Sequence, residues 1–450
     1  MHPSLAQTIS KLSRRILAKD DGARILQIGG ILRFALIFLQ GVILVKSGVP
    51  LEVIGQVELV FFFANFLMFY LQNGGKNAML SWVPSLKGGI GINLRLGTVF
   101  VVMQIFGLIG ALLMLSISRI PALSSYTFLQ EGKNVIYLAV YIFFTVPVVP
   151  LIYNYLLTNR YRRILWFIGV SYTLQITAVL VPIVLDLGVP AMMFALAAFS
   201  VVRWVFALYD GRWFADGYPS RGLITAFIVF VFPLVFHAFN SGLMDFVDGW
   251  IVSWYFGEEQ FALYRFGAKE FPVNALLIGG LLTGLIPVFN KAGAVDHASL
   301  KGEIKRLIRT LLPVNCLLIL TSPLLYTLVY SAEFTVSARI FNIYALTLLS
   351  RVVVNQVYLY VLHRNWILAL STMGEVVLNI ILSVLLLQSF GLIGIPLATV
   401  IAYAAHKIFI VIYVDINLKT KVQQYFPVRQ YAIALLAMGG SFIIAEMIYF

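Results

Sequence analysis

Long apolar runs alternate with short polar ones over the whole chain. The apolar runs fall at residues 25–45, 53–72, 97–118, 135–158, 164–185 and 189–209 in the first half. In the second half they fall at 223–256, 262–289, 307–330, 337–362, 367–388, 391–414 and 428–449. A helix of about twenty such residues, rising 1.5 Å per residue, crosses the roughly 30 Å of a bilayer's hydrocarbon. The pattern therefore predicts an all-α polytopic membrane protein of about 13 transmembrane helices, within a range of about 12 to 14. The seventh run is too long for one perpendicular crossing and contains Pro233, which predicts a kink or an interfacial first segment.

The spans divide the chain into a basic N-terminal segment (1–24), a first six-helix bundle (25–210), a linker (211–222), a second six-helix bundle (223–414), and a linker with one additional C-terminal helix (415–450). The links are too short for a separate globular unit. The starts of the two halves are loosely similar: 36–83 and 232–289 each hold a polar-interrupted span, a Gly-containing turn and an apolar span closing at a proline, Pro84 or Pro287.

Composition sharpens the picture. Among 450 residues there are 32 Lys+Arg and 19 Asp+Glu, so charged residues make up 11%, against about 25% in soluble globular proteins. The mean hydropathy is +0.93. A water-soluble enzyme is excluded. The net charge of +13 does not point to nucleic acid, because no dense basic run lies among stacking aromatics on a soluble module. It is explained by the placement of the cations. Loops that lie inside when the N-terminus is cytoplasmic hold 22 Lys and Arg, and the opposite loops hold only Lys46, Arg119 and Lys133. This asymmetry orients the protein in a cytoplasmic membrane. The basic N-terminus has no small-residue cleavage signature and reads as a retained anchor. The single cysteine, Cys316, allows neither a disulfide nor a cysteine metal site. No metal and no cofactor is expected.

Charges deep in spans must face a cavity or a partner, since each costs about 2.5–3.5 kcal/mol at a helix centre on insertion scales. Arg33, Asp245, Lys269 and Glu375 are such residues. On the seventh span His237, Ser241, Asp245 and Asp248 follow at steps of 4, 4 and 3, which places them on one helical face. Glu58, Asn65 and Gln72 repeat every seven residues on the second span, and Arg351, Asn355 and Tyr358 share a face on the tenth. Arg33 and Lys269, with Arg265 and Arg351, are the candidate ligands of an anionic diphosphate, because guanidinium and ammonium groups suit phosphate oxygens. The structural alternative pairs Arg33 with Glu58 or Glu375, and Lys269 with Glu270 or Asp245. Asp245 and Asp248, with Glu58, Glu375, His237 and Asn355 in the same polar interior, are candidates for coupling to H+ or Na+; the alternative has the two aspartates neutralise Arg265 or Lys269. Arg203 and Lys407 are expected to snorkel to headgroups. The stretch 301–309 is expected to form an amphipathic helix on anionic lipid.

Three stretches carry a family resemblance. FNSGLMDFVDGWIVSWYFGEEQFALYRFGAKEF (239–271) resembles the seventh helix and outer turn of MOP superfamily polysaccharide exporters, the Wzx-type O-antigen flippases, with Gly257, Glu258, Glu259 and Tyr264 at the recurring positions. SFGLIGIPLATVIAY (389–403) resembles their aromatic-Gly-x-x-Gly-x-x-Ala entry to the twelfth helix, with the alanine displaced by one to Ala398. GVPLEVIGQVELVFFFANFLMFYLQNGGKNAML (48–80) resembles the first-half turn and second helix. The chain departs from the many relatives that close with a pair of helices, having room for one. The resemblance implies two six-helix bundles in a V around a central cavity that opens alternately to each side. The implied substrate is a lipid-linked oligosaccharide, usually on undecaprenyl diphosphate.

The expected function is thus a flippase moving an undecaprenyl-diphosphate-linked O-antigen or other polysaccharide repeat unit to the outer leaflet of a bacterial inner membrane. Its expected partners are this substrate, membrane lipids, H+ or Na+, and the polymerase and glycosyltransferases of the same pathway; the expected state is a monomer. Two other readings compete. A multidrug or cation antiporter of the same superfamily would want carboxylates where the first span has Arg33. A polysaccharide polymerase or glycosyltransferase would want acids in a large outer loop, where 119–134 offers only Glu131.

Overall fold

In the computed structural model, residues 22–85, 91–120, 123, 126–268, 274, 277–279, 281–282, 285–286, 288–289 and 294–450 are described. Among them the chain is helical throughout. Ten stretches are long and apolar enough to cross a membrane, and one of these, Trp366–Asn417, is two helices in succession. The protein is a multi-pass membrane protein. It folds as two compact units, Met1–Gly242 and Leu243–Phe450.

The first unit contains α1 (Gly22–Lys46), α2 (Leu51–Ser85), α3 (Ile92–Ile117), α4 (Gly132–Thr145), α5 (Pro150–Leu157), α6 (Tyr161–Val184) and α7 (Gly188–Asp210). The fourth predicted span is interrupted: Pro147 and Pro150 lack the N–H groups that would continue the ladder, so Val146–Val148 tightens into a 3-10 turn between α4 and α5. The second predicted span is too short. α2 runs for 35 residues, about 50 Å, and carries Lys76 inside the helix instead of in a loop. Close backbone approach holds these helices together, as expected where lipid removes any hydrophobic drive between them. At Gly107 an added Cβ would lie 2.5 Å from the Phe143 carbonyl oxygen, which fixes α3 against α4. Trp213, fully buried, donates its indole N–H to the Ala207 carbonyl at 2.8 Å and stacks on Phe100.

The ends of α5, α6 and α7 are joined by charge. Asp210 accepts from the Tyr155 hydroxyl at 2.6 Å and pairs with Arg163 and, at 3.8 Å, with Arg160. Arg160 also donates to the Asp210 carbonyl at 3.1 Å and to Asn154 Oδ1 at 3.1 Å.

Helix α8 (Arg221–Gly267) starts in the first unit and ends in the second, and the boundary between them falls within it. Its continuity is broken at Gly257, with φ 76° and ψ −172°, a conformation available essentially only to glycine. Two helices thus meet at Gly257, and the turn expected around Gly257, Glu258 and Glu259 falls at their junction.

The second unit continues with α9 (His297–Val329), α10 (Thr335–Ala345), α11 (Thr347–Arg351), α12 (Gln356–Val361), α13 (Asn365–Phe390), α14 (Gly394–Asn417) and α15 (Val428–Tyr449). Two expectations are corrected here. The tenth span is not one helix but the three short helices α10 to α12, interrupted at Leu346 and again over 352–355, where the backbone leaves the helix and Val352, Val354 and Asn355 are buried. The stretch 301–309 is not a separate surface helix. It is the first part of α9, with Ile304, Leu307 and Ile308 buried, Asp296 capping its N-terminus and Lys301 donating to the Gln423 carbonyl at 2.6 Å. Helices α13 and α14 form a hairpin turned at Gly391, φ 60°. The last helix, α15, is tied to α10 by Arg339, whose Nε lies 3.0 Å from both Glu446 oxygens and whose Nη2 lies 2.8 Å from Oε2.

Candidate functional site

Each unit has its own polar interior. In the first, Arg33 on α1 is exposed, and its guanidinium lies 5.9 Å over the Tyr172 ring of α6. Arg33 is within Coulombic reach of Lys76 on α2 and of Tyr153 on α5. Lys76 is half-buried and donates to Asn73 Oδ1 at 2.9 Å. Among the described residues no carboxylate pairs with Arg33, so the expected structural partner Glu58 does not hold it; Glu58 is half-buried on α2. Arg203 is half-buried, with its Nε buried, its guanidinium 5.2 Å over Phe199 and within Coulombic reach of Tyr141 on α4. Lys76, Tyr153 and Tyr172 escape the sequence reading, which takes Lys76 for a loop residue and has no period that brings tyrosines of α5 and α6 to α1.

The seventh-span stripe separates along α8. His237 and Asp245 are exposed, whereas Asp248, in the second unit, is 5% exposed; the Ser241 side chain lies outside the described residues. Asp248 Oδ2 accepts from the Tyr344 hydroxyl at 2.6 Å and from the Thr399 hydroxyl. Tyr344 also meets the Tyr264 hydroxyl at 3.1 Å, Asn379 donates to Thr399 at 2.9 Å, and Ser383 donates to Asn379 at 3.2 Å. Helices α8, α10, α13 and α14 thereby converge on one buried carboxylate, whose Oδ1 has no protein partner among the described residues.

Glu375 belongs to a second cluster. Its Oε2 lies 2.5 Å from His406 Nδ1, joining α13 to α14. Lys407, expected to snorkel, is instead 6% exposed and donates to Gln356 Oε1. Asn355, 1% exposed, donates to the Lys407 carbonyl at 3.1 Å. Arg351 lies 5.5 Å over the Tyr403 ring, and Lys407 lies 5.9 Å over the same ring. Lys407 is buried because its position on α14 faces protein, which proximity to a span end in the sequence does not reveal. A small cavity lined by Asn274, Asn315, Tyr344, Thr347 and Arg351 has about 10 Å³ for the centre of a water molecule, room for about one. It lies between the Asp248 network, through Tyr344, and the Arg351 cluster. Arg265 is half-buried and within Coulombic reach of Tyr264. Lys269 lies outside the described residues.

This all-helical fold is similar to that of solved MOP superfamily transporters. No protein-family model matches the sequence, and no curated protein matches it; the similarity lies in the fold. The chain is similar to the lipid II flippase MurJ in an inward closed conformation, at 15% identity and TM-score 0.62, covering 94% of this chain and 93% of that one. It is similar to an inward-facing multidrug resistance transporter of the MATE family, at 16% identity and TM-score 0.61, covering 86% and 98%. A third neighbour is a MOP superfamily transporter from Pyrococcus furiosus described as having reversed polarity in its binding pocket, at 15% identity and TM-score 0.54, covering 89% and 96%.

Proposed function

We propose that the protein is a flippase, not an enzyme, that moves an undecaprenyl-diphosphate-linked oligosaccharide, such as an O-antigen repeat unit, from the cytoplasmic to the outer leaflet of a bacterial inner membrane by alternating access. The observation that carries this reading is Arg33. A guanidinium half-way along a membrane-spanning helix, exposed, lacking a carboxylate partner among the described residues and within Coulombic reach of a second cation, is poised for an anionic group. Its fork suits diphosphate oxygens, and Lys76 adds a point charge. Tyr153 and Tyr172 give sugar rings a flat face and hydroxyls to meet. The fold shared with a lipid II flippase supports a lipid-linked substrate.

In the same reading Asp248 binds the coupling ion. Its carboxylate is ringed by hydroxyls and an amide and keeps one oxygen without a protein partner among the described residues, a donor set that suits Na+ or a proton. The N-terminus is assigned to the cytoplasm from the positive-inside asymmetry. The test is translocation of undecaprenyl-diphosphate-linked oligosaccharide in proteoliposomes, scored by access of an added glycan-cleaving enzyme. Accumulation on the far side supports the flippase. Failure to move lipid-linked glycans from several sources, with efflux of a small organic cation instead, would place the protein on the multidrug side.

A further inference from the structure

We propose that the first unit holds one anionic phospholipid, its acyl chain in an apolar groove between α3, α4 and α7 and its phosphate at Arg212. The site stands on its own geometry and does not depend on what the protein transports.

The groove has a volume of about 440 Å³ and is lined by Phe100, Gln104 and Leu108 of α3, Phe143 of α4, and Trp204 and Leu208 of α7. Its two polar side chains turn their groups onto protein: the Trp204 indole donates to Gln104 Oε1 at 2.7 Å, and the Gln104 amide donates to the Phe143 carbonyl at 3.4 Å. Water entering such a space finds no partner, and an empty space forfeits the dispersion contacts of its wall. Hydrocarbon is the filling that suits it, and Leu108, exposed at its rim, leaves the way open.

The length of the groove selects the chain. From Phe100 to Leu108 it follows α3 for about 12 Å, close to the roughly 15 Å that one leaflet contributes to the hydrocarbon core. An acyl chain of a single leaflet matches that span. The long isoprenoid of a lipid-linked glycan outruns it.

Charge selects the head. Between the lining residues Leu208 and Phe214 the chain leaves α7, and Arg212 stands in that turn, exposed, at φ 50°. Trp213 beside it is buried and stacked on Phe100, which anchors the turn to α3, and the exposed Tyr218 packs on Phe214 with ring centroids 4.9 Å apart. The loop that carries Arg160, Arg162 and Arg163 adjoins this turn, since Arg160 donates to the Asp210 carbonyl and is within Coulombic reach of Arg212. The carboxylates nearby are engaged. Asp210 is taken up by Tyr155, Arg160 and Arg163, and Asp216 accepts from the Asn93 backbone N–H at 3.2 Å and from its side-chain amide at 3.1 Å. Arg162 and Arg212 are exposed and pair with no carboxylate among the described residues. A guanidinium at the end of an acyl-chain groove is complementary to a lipid phosphate, and the positive-inside assignment puts this end at the anionic cytoplasmic leaflet.

The test is native mass spectrometry of the purified full-length protein given phosphatidylglycerol or phosphatidylcholine with the same acyl chains. The native chain should retain one phosphatidylglycerol in preference to phosphatidylcholine. Arg212→Gln should lower that preference about fivefold, the share of one cation near an anionic lipid surface. Leu108→Trp, whose indole fills the groove from its rim, should lower retention of both lipids. If Leu108→Trp does not accumulate, Arg212→Gln, at an exposed position, carries the same reading. Equal retention of the two lipids by the native protein, or a preference untouched by both substitutions, overturns the site. Retention of undecaprenyl phosphate in place of phosphatidylglycerol, lost in Leu108→Trp, overturns the phospholipid as occupant and gives the groove to an isoprenoid.

Discussion

The Tyr344 hydroxyl donates to the Asp248 carboxylate at 2.6 Å, across 96 residues of sequence and between helices α10 and α8. A buried carboxylate held this way must be neutralised or coordinated, since an isolated charge in a low-dielectric interior is very costly. Asp248→Asn keeps the acceptor for Tyr344 but removes the charge. It should flatten the Na+ and pH dependence of transport, read as initial rate against each ion with the other fixed; an unchanged profile would make the network purely structural.

Arg33→Ala should leave the protein folded in the membrane and lower export by about 10- to 150-fold, the equivalent of one charge-assisted hydrogen bond worth roughly 1.5–3 kcal/mol. Lys76→Ala should act in the same direction. The measurement is translocation normalised to monodisperse protein recovered by size exclusion. Full activity in Arg33→Ala would remove the anion site.

Asp210→Asn should act on stability rather than transport. It weakens the acceptor shared by Tyr155, Arg160 and Arg163, and because Arg163 is half in solvent the cost should sit near the lower end of about 1–3 kcal/mol. A thermal melt in detergent should show a Tm lowered by a few degrees.

Gly257→Ala places a Cβ in a conformation that only glycine adopts readily, at a cost of about 1–3 kcal/mol. The expected result is reduced accumulation of folded protein, measured by fluorescence-detected size exclusion. A neutral outcome would mean that the α8 backbone rearranges at this point.

The hydropathy of the chain made the membrane helices legible, because bilayer thickness and helix rise leave little choice. What each helix presents to its neighbours was not legible. Lipid and protein interior are equally apolar, so the face of Lys407 that meets Gln356 looks in the sequence like any face near a span end. Lys76 was hidden by the polar residues Gln72 to Asn77 around it, which resemble a loop. Of the candidate site, Arg33 and Glu375 were found by their cost in a bilayer, and Asp248 by its place on one helical face with His237, Ser241 and Asp245. Their partners Tyr172, Thr399 and His406 come from other helices and share no spacing with them.

The break between α11 and α12 also constrains biosynthesis. Non-helical backbone is tolerated at membrane depth only when protein or water surrounds it, and here residues 352–355 are enclosed, and the Asn355 side-chain amide donates to the Lys407 carbonyl. That carbonyl is made 52 residues later. When the ribosome has delivered α10 to α12, this stretch has no finished environment, and the second unit reaches its final form only after α14 has entered the bilayer and docked. A chain ending before α14 would hold an unfinished segment inside the membrane, the kind of defect that quality-control proteases remove.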